Sequence, residues 1–146
     1  MSVYRDKAQK LRDQITPHIN CAQAVLVPFA EAAGISEEAA LRIAGGFAGG
    51  MKRGSVCGAV TGGIMVLGLF GLADPESLEA FHARLKEAYE GMFDCRDLLR
   101  LNEEAGGIKK PFCDGLVGEC VDLVAEMLEE KGLLNQAGSA AARTRG

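Results

Sequence analysis

The chain has 146 residues, enough for one core-forming domain. Hydrophobic residues make up 48% and charged residues 25%, a balance that excludes a disordered or fibrous protein. The net charge of −4, with 5% aromatic residues and no Trp, argues against a nucleic-acid partner: it supplies neither the positive field nor the stacking platform.

Helical periodicity runs through almost the whole sequence, and no segment alternates with a period of two. A first helix is predicted over 3–15, with Val3, Tyr4, Ala8, Leu11 and Ile15 inward and Arg5, Lys7, Lys10, Arg12 and Asp13 largely outward. Pro17 ends it. Asn20 is a good N-cap for the apolar helix CAQAVLVPFAEAAG, in which Pro28 invites a kink and Gly34 suits the C′ position. Ser36 then caps EEAALRIAGGFAGG, whose first-turn acids complement the helix dipole.

Glycines next recur every four residues, at Gly46, Gly50, Gly54, Gly58 and Gly62. That spacing strips one helix face of side chains and lets another backbone approach, within the chain or between two copies of it. GGMKRGS reads as a turn, and a helix is predicted from Ser55 to Phe70, stopping at Gly71. The uncharged run from Gly54 to Ala73 is long enough to span a bilayer, and Lys52 and Arg53 precede it. Six glycines and no aromatic belt favour a buried central helix instead, so a membrane location is not expected.

Asp74-Pro75-Glu76 is a helix start, the helix that follows turns Leu78, Phe81, Leu85, Ala88 and Met92 to one side, and Gly91 is a candidate end for it. Asp94 is placed to cap CRDLLRLN, EEAGGIKKP reads as a loop, and a last helix runs from Cys113 to about Lys131 with Leu116, Val117, Val121, Val124 and Leu128 inward. The fold class is all-α: a compact bundle of five or six helices with a glycine-rich central helix pair. One helical domain covers 1–133, and the small basic residues of 134–146 form a flexible tail.

The five cysteines fall on this map in a pattern. The charged N-terminus lacks a signal-peptide apolar stretch and points to the cytoplasm, where clustered cysteines more often do redox or metal chemistry than build a disulfide framework. No CxxC or zinc-finger spacing is present, so any site is assembled by the fold. Cys21, Cys57, Cys95 and Cys113 are each predicted in the first turn of a helix, where unpaired N–H groups favour thiolate. Cys57 has the best setting, with flexible glycines around it and Lys52 and Arg53 nearby in sequence. Asp94 and Asp114 oppose thiolate formation at Cys95 and Cys113. Cys120 is internal and reads as a small core hydrophobe. His18, three residues before Cys21, reads as a surface residue within reach of that thiol, and His82 as solvated. No carboxylate pair is placed for acid–base work, and the glycine row is not a dinucleotide motif.

Asn20-Cys21-Ala22-Gln23, then Cys57-Gly58-Ala59-Val60-Thr61-Gly62 leading into an apolar helix, then Cys95-Arg96-Asp97-Leu98-Leu99, then Cys113 before LVGECVDLVAEML, together resemble the C-GCAxxG-C-C family over about residues 18–130. The resemblance implies four characteristic cysteines, here Cys21, Cys57, Cys95 and Cys113, and a redox role. Cys113 fits the fourth position better than Cys120, because the apolar pattern after it aligns without a gap. A similar domain in some split-Soret cytochromes implies electron transfer or an iron centre. Three functions follow. The first is thiol–disulfide exchange with Cys57 as the attacking thiolate and a protein or small thiol as redox partner. The second is an iron–sulfur cluster or zinc held by the same four cysteines. The third is a structural helical protein with core cysteines.

Overall fold

Local side-chain capping sets three of the helix starts. In the computed structural model, which describes residues 3–134, Asn20 accepts from the Gln23 backbone N–H at 2.8 Å while the Gln23 side chain accepts from the Asn20 backbone at 2.9 Å. This reciprocal capping box opens α2 (Cys21–Ala33). Gly34, at φ 81°, closes it. Ser36 caps α3 (Glu37–Ala44), and Asp74 with Pro75 opens α5 (Pro75–Ala88). Around them stand α1 (Val3–Asp13), α4 (Gly58–Leu69), α6 (Cys95–Glu104) and α7 (Lys109–Glu130). The protein is all-α, with seven α-helices among the described residues rather than five or six. The predicted flexible tail lies almost wholly beyond the described residues.

Several boundaries differ from the sequence reading. α7 begins four residues earlier than predicted, because Pro111 sits in its first turn, where a missing N–H costs nothing. Cys113 therefore lies in the second turn. α2 continues unbroken across Pro28. α4 begins at Gly58 rather than Ser55, with Cys57 as its N-cap. α1 stops at Asp13, which leaves Ile15 exposed instead of inward. α5 stops at Ala88, so its buried stripe is Phe81, Leu85 and Tyr89 rather than Ala88.

The core centres on α2, which packs against α1, α3, α4 and α7. Its residues from Ala24 to Ala30 are all buried. The closest approach is to α4. A Cβ on Gly62 would stand 2.8 Å from the Ala22 carbonyl oxygen and 3.1 Å from Val25 Cβ. Gly58 and Gly62 of the glycine row thus serve packing inside the chain, where the α4 and α2 backbones meet. Between α3 and α4 the chain passes a 3-10 turn (Gly45–Phe47) and a wide turn (Gly50–Gly54). Gly50, at φ 63°, admits no side chain, because a Cβ there would lie 2.4 Å from the Ser55 carbonyl oxygen. Among the described residues no helix is long and apolar enough to cross a membrane.

Tyr4 stacks on Phe29 with ring centroids 4.4 Å apart. Its hydroxyl is buried with no hydrogen-bond partner among the described residues, and burial followed by the charge of Glu129 pushes its pKa up to about 12. An unpaired buried hydroxyl costs free energy that a phenyl ring does not. Tyr4→Phe is therefore expected to leave stability unchanged or raise it by about 1 kcal/mol, read by urea unfolding.

Candidate functional site

Backbone geometry unites the four cysteines. Val56 and Asp94 form an isolated antiparallel bridge. Cys57 N–H donates to the Phe93 carbonyl at 2.7 Å, and Cys95 N–H donates to the Ser55 carbonyl at 2.6 Å. This short clasp pins the start of α4 to the start of α6. Asp94 serves there through its backbone; its side chain makes no capping bond. Gly58 brings the same corner against α2: a Cβ on it would lie 3.3 Å from Cys21 Cβ and 3.0 Å from the Phe47 carbonyl oxygen. α7 contributes Cys113. As a result Cys21, Cys57, Cys95 and Cys113 all line one small cavity of about 20 Å³, closed by Leu98, Leu99, Phe112 and Leu116. All five cysteines are free thiols.

The thiols are not equivalent. Cys21 and Cys113 line the same cavity, and each acts strongly on the other's ionisation. Cys113 donating to a Cys21 thiolate is the main reason the Cys21 pKa falls below the ordinary thiol value; burial opposes the fall, and the Arg12 guanidinium supports it. The same bond, with burial, drives the Cys113 pKa upward. The pair therefore gives up its first proton early and its second late. Cys57 behaves otherwise than its sequence setting implied. The Ala59 and Val60 N–H groups at the α4 start do favour its thiolate, but burial outweighs them and its pKa rises to about 11. Neither Lys52 nor Arg53 is among the groups acting on it. Cys95 is also raised, by burial and then by Cys21 rather than by Asp94.

Three residues shape this site beyond what the sequence indicates: it does not single out Arg12 or Tyr89, and it presents Asp114 only as opposing thiolate formation at Cys113. Arg12, assigned to the outer face of α1, is buried on the Tyr4–Ala8–Arg12 stripe. Its Nε donates to Asp114 Oδ1 at 2.7 Å and its Nη1 to the Ile19 carbonyl at 2.9 Å. Asp114 also accepts from Lys110 at 2.7 Å. Burial pushes the Asp114 pKa up, but hydrogen bonds from Lys110, Arg12 and Gln9 outweigh it and hold the carboxyl ionised. The spacing of four from Tyr4 and Ala8 was the available signal for Arg12. The third residue is Tyr89. Its Oη donates to the Leu116 carbonyl at 3.2 Å and lies 3.1 Å from Cys120 Sγ and 4.0 Å from Cys57 Sγ. Cys120 is a fully buried core residue that also touches the site, through this hydroxyl. His18 is exposed near Cys21. His82 is half-buried rather than solvated, its Nδ1 lying 2.8 Å from the Leu78 carbonyl and its ring edge-on to Phe81 and Phe93.

The donor set does not match a metal cage. Among the described residues no three His, Cys, Asp or Glu side chains are grouped to hold an ion, and the cavity between the four cysteines has room for about one water molecule. A four-iron cluster needs four converging sulfurs around a far larger void.

An all-helical bundle gathering four cysteines at one corner is the class of protein these features define. The sequence model of the family described as "Putative redox-active protein (C_GCAxxG_C_C)" matches residues 19–127, and the chain belongs to that family. No curated protein and no solved structure matches the chain.

One pH prediction follows. Alkylation of Cys21 by iodoacetamide should rise through a midpoint well below the ordinary thiol value of about 8.5 in the reduced protein. Cys113→Ala, which removes the donor to the thiolate, should move that midpoint toward the ordinary thiol value of about 8.5. Because Cys21 ionises more easily when folded, its contribution to stability is present above the unfolded thiol pKa and lost as pH falls through the lowered folded-state pKa. The stability gap between the wild type and Cys113→Ala should therefore close on acidification.

Proposed function

We propose that the protein is a dithiol redox protein in which Cys21 is the attacking thiolate and Cys113 the resolving thiol. The observation that supports this best is the convergence of Cys21 and Cys113 on one small cavity, next to Arg12 and its partner Asp114. In the oxidising direction, Cys21 thiolate attacks one sulfur of an incoming disulfide, forming a mixed disulfide and expelling a thiolate. Cys113 then passes its proton to the departing thiolate and attacks Cys21 Sγ. The second half leaves as a thiolate, which takes a proton from water, and a Cys21–Cys113 disulfide remains. Two electrons have passed from the protein to the partner, and the reverse sequence returns them.

Cys57 and Cys95 complete the four-sulfur site in this reading. Cys57 is held as a thiol by burial, and Cys95 lines the cavity from the α6 start. The redox role common to the family and the free state of all the cysteines agree with it.

The test is thiol counting with metal analysis on one anaerobically purified sample. The expected result is a loss of two of the five thiols on mild oxidation, restored by reductant, with no stoichiometric metal. Stoichiometric iron or zinc that disappears in Cys21→Ser, or a thiol count insensitive to oxidation, would overturn the proposal.

A further inference from the structure

Outside the small cavity lies a wider cleft of about 460 Å³, reached by Cys21, Cys95 and Cys113. Its charged lining is one-sided: Arg12, Lys52, Lys109 and Lys110 face it, and no Asp or Glu lines it. Asp114 offsets part of this charge from behind, through its bonds to Arg12 and Lys110. No ion pair binds Lys52 or Lys109 among the described residues. The chain as a whole carries a net charge of −4, so this concentration is local.

The backbone adds an independent observation. Met51 and Lys52 both occupy the left-handed region, at φ 60° and 58°. Two successive non-glycine residues there are strained, and such strain persists where the surroundings over-determine it. The turn is closed by Ser55 N–H donating to the Gly50 carbonyl at 3.1 Å. The strained conformation carries Lys52 to the rim of the cleft. The cleft's volume falls within the range of small-ligand sites, about 300–1,000 Å³.

Resting on the dithiol reading, we propose that this cleft binds small disulfides bearing carboxylates and presents their S–S bond to Cys21. The carboxylates sit against Lys52 and Lys109, while the ligand's sulfurs face the cysteines. Attack by Cys21 thiolate breaks the ligand's S–S bond and forms a Cys21–ligand disulfide, releasing one ligand thiolate. Cys113 then attacks Cys21 Sγ, its proton goes to the first thiolate, and the second ligand half leaves as a thiolate that takes a proton from water. One disulfide is reduced to two thiols for each Cys21–Cys113 bond formed. The cation-lined cleft offsets the repulsion between an attacking thiolate and an anionic ligand.

The experiment compares three disulfides as oxidants of the reduced full chain: dithiodiglycolate (two negative charges), hydroxyethyl disulfide (neutral) and cystamine (two positive charges). Each rate is divided by that disulfide's rate with mercaptoethanol, which removes differences in intrinsic reactivity. Dithiodiglycolate should lead hydroxyethyl disulfide by about 10-fold and cystamine by more, an advantage that shrinks as salt rises to about 1 M. A Lys52→Gln, Lys109→Gln double variant changes only exposed side chains, so the fold should persist, as circular dichroism will report. In it the anionic-to-neutral ratio should fall about 5-fold. Equal normalised rates, or a lead for cystamine, would overturn the cleft assignment and leave the dithiol reading standing. No reaction with any of the three would overturn both.

Discussion

Arg12→Leu is expected to cost the reduced protein about 3 kcal/mol of stability, measured by urea unfolding. The side chain is 8% exposed and its partner Asp114 11%, so water replaces little of what is lost. Breaking a buried ion pair strands the remaining charge, at about 3–5 kcal/mol. Here the loss should sit at the lower end, because Lys110 and Gln9 still donate to Asp114. The Ile19 carbonyl loses its guanidinium donor as well, just before the α2 cap that positions Cys21. The same variant should raise the midpoint of Cys21 alkylation, by less than Cys113→Ala does. The Cys113 hydrogen bond is the larger influence on that thiol, and Arg12 follows it among the groups that favour the charge. A purely structural Arg12 would change the unfolding curve and leave the alkylation profile alone.

Gly62→Leu should be at least as damaging to the fold, by about 3 kcal/mol or more. The nearest atom to a Cβ there is the backbone Ala22 oxygen at 2.8 Å, which cannot rotate aside. Relief requires α2 and α4 to separate. Cys21 opens α2 and Cys57 caps α4, so the separation also opens the four-cysteine corner. The expected signature is a lowered urea midpoint with faster alkylation of Cys57, which in the wild type is 6% exposed. Unchanged stability would mean that the close approach of the two helices is not what the glycine spacing serves.

Much of this architecture was legible because it depends on local chemistry. The capping residues Asn20, Ser36 and Asp74 act within four positions of themselves, and the α7 stripe of Leu116, Val117, Val121, Val124 and Leu128 is buried throughout. The start of α7 was misplaced for an equally local reason: Pro111 marks the end of a loop as readily as the first turn of a helix. The four cysteines were identifiable as a set from their motif, but their ranking was not. Thiolate character at Cys57 looked favourable from the helix start alone, whereas burial of its sulfur is a tertiary property. The low pKa of Cys21 needs Cys113 and Arg12, which meet it only when α1, α2 and α7 pack. The Val56–Asp94 clasp was invisible for the same reason, since one bridge gives no period in the sequence. Tyr89, too, becomes notable only once Cys57 and Cys120 flank its hydroxyl.

The most direct measurement is peptide mapping of the protein after mild oxidation under denaturing, thiol-blocked conditions. A single disulfide between Cys21 and Cys113, with Cys57, Cys95 and Cys120 recovered as blocked thiols, is the predicted result. A first disulfide that forms through Cys57 and leaves Cys21 and Cys113 reduced would contradict it.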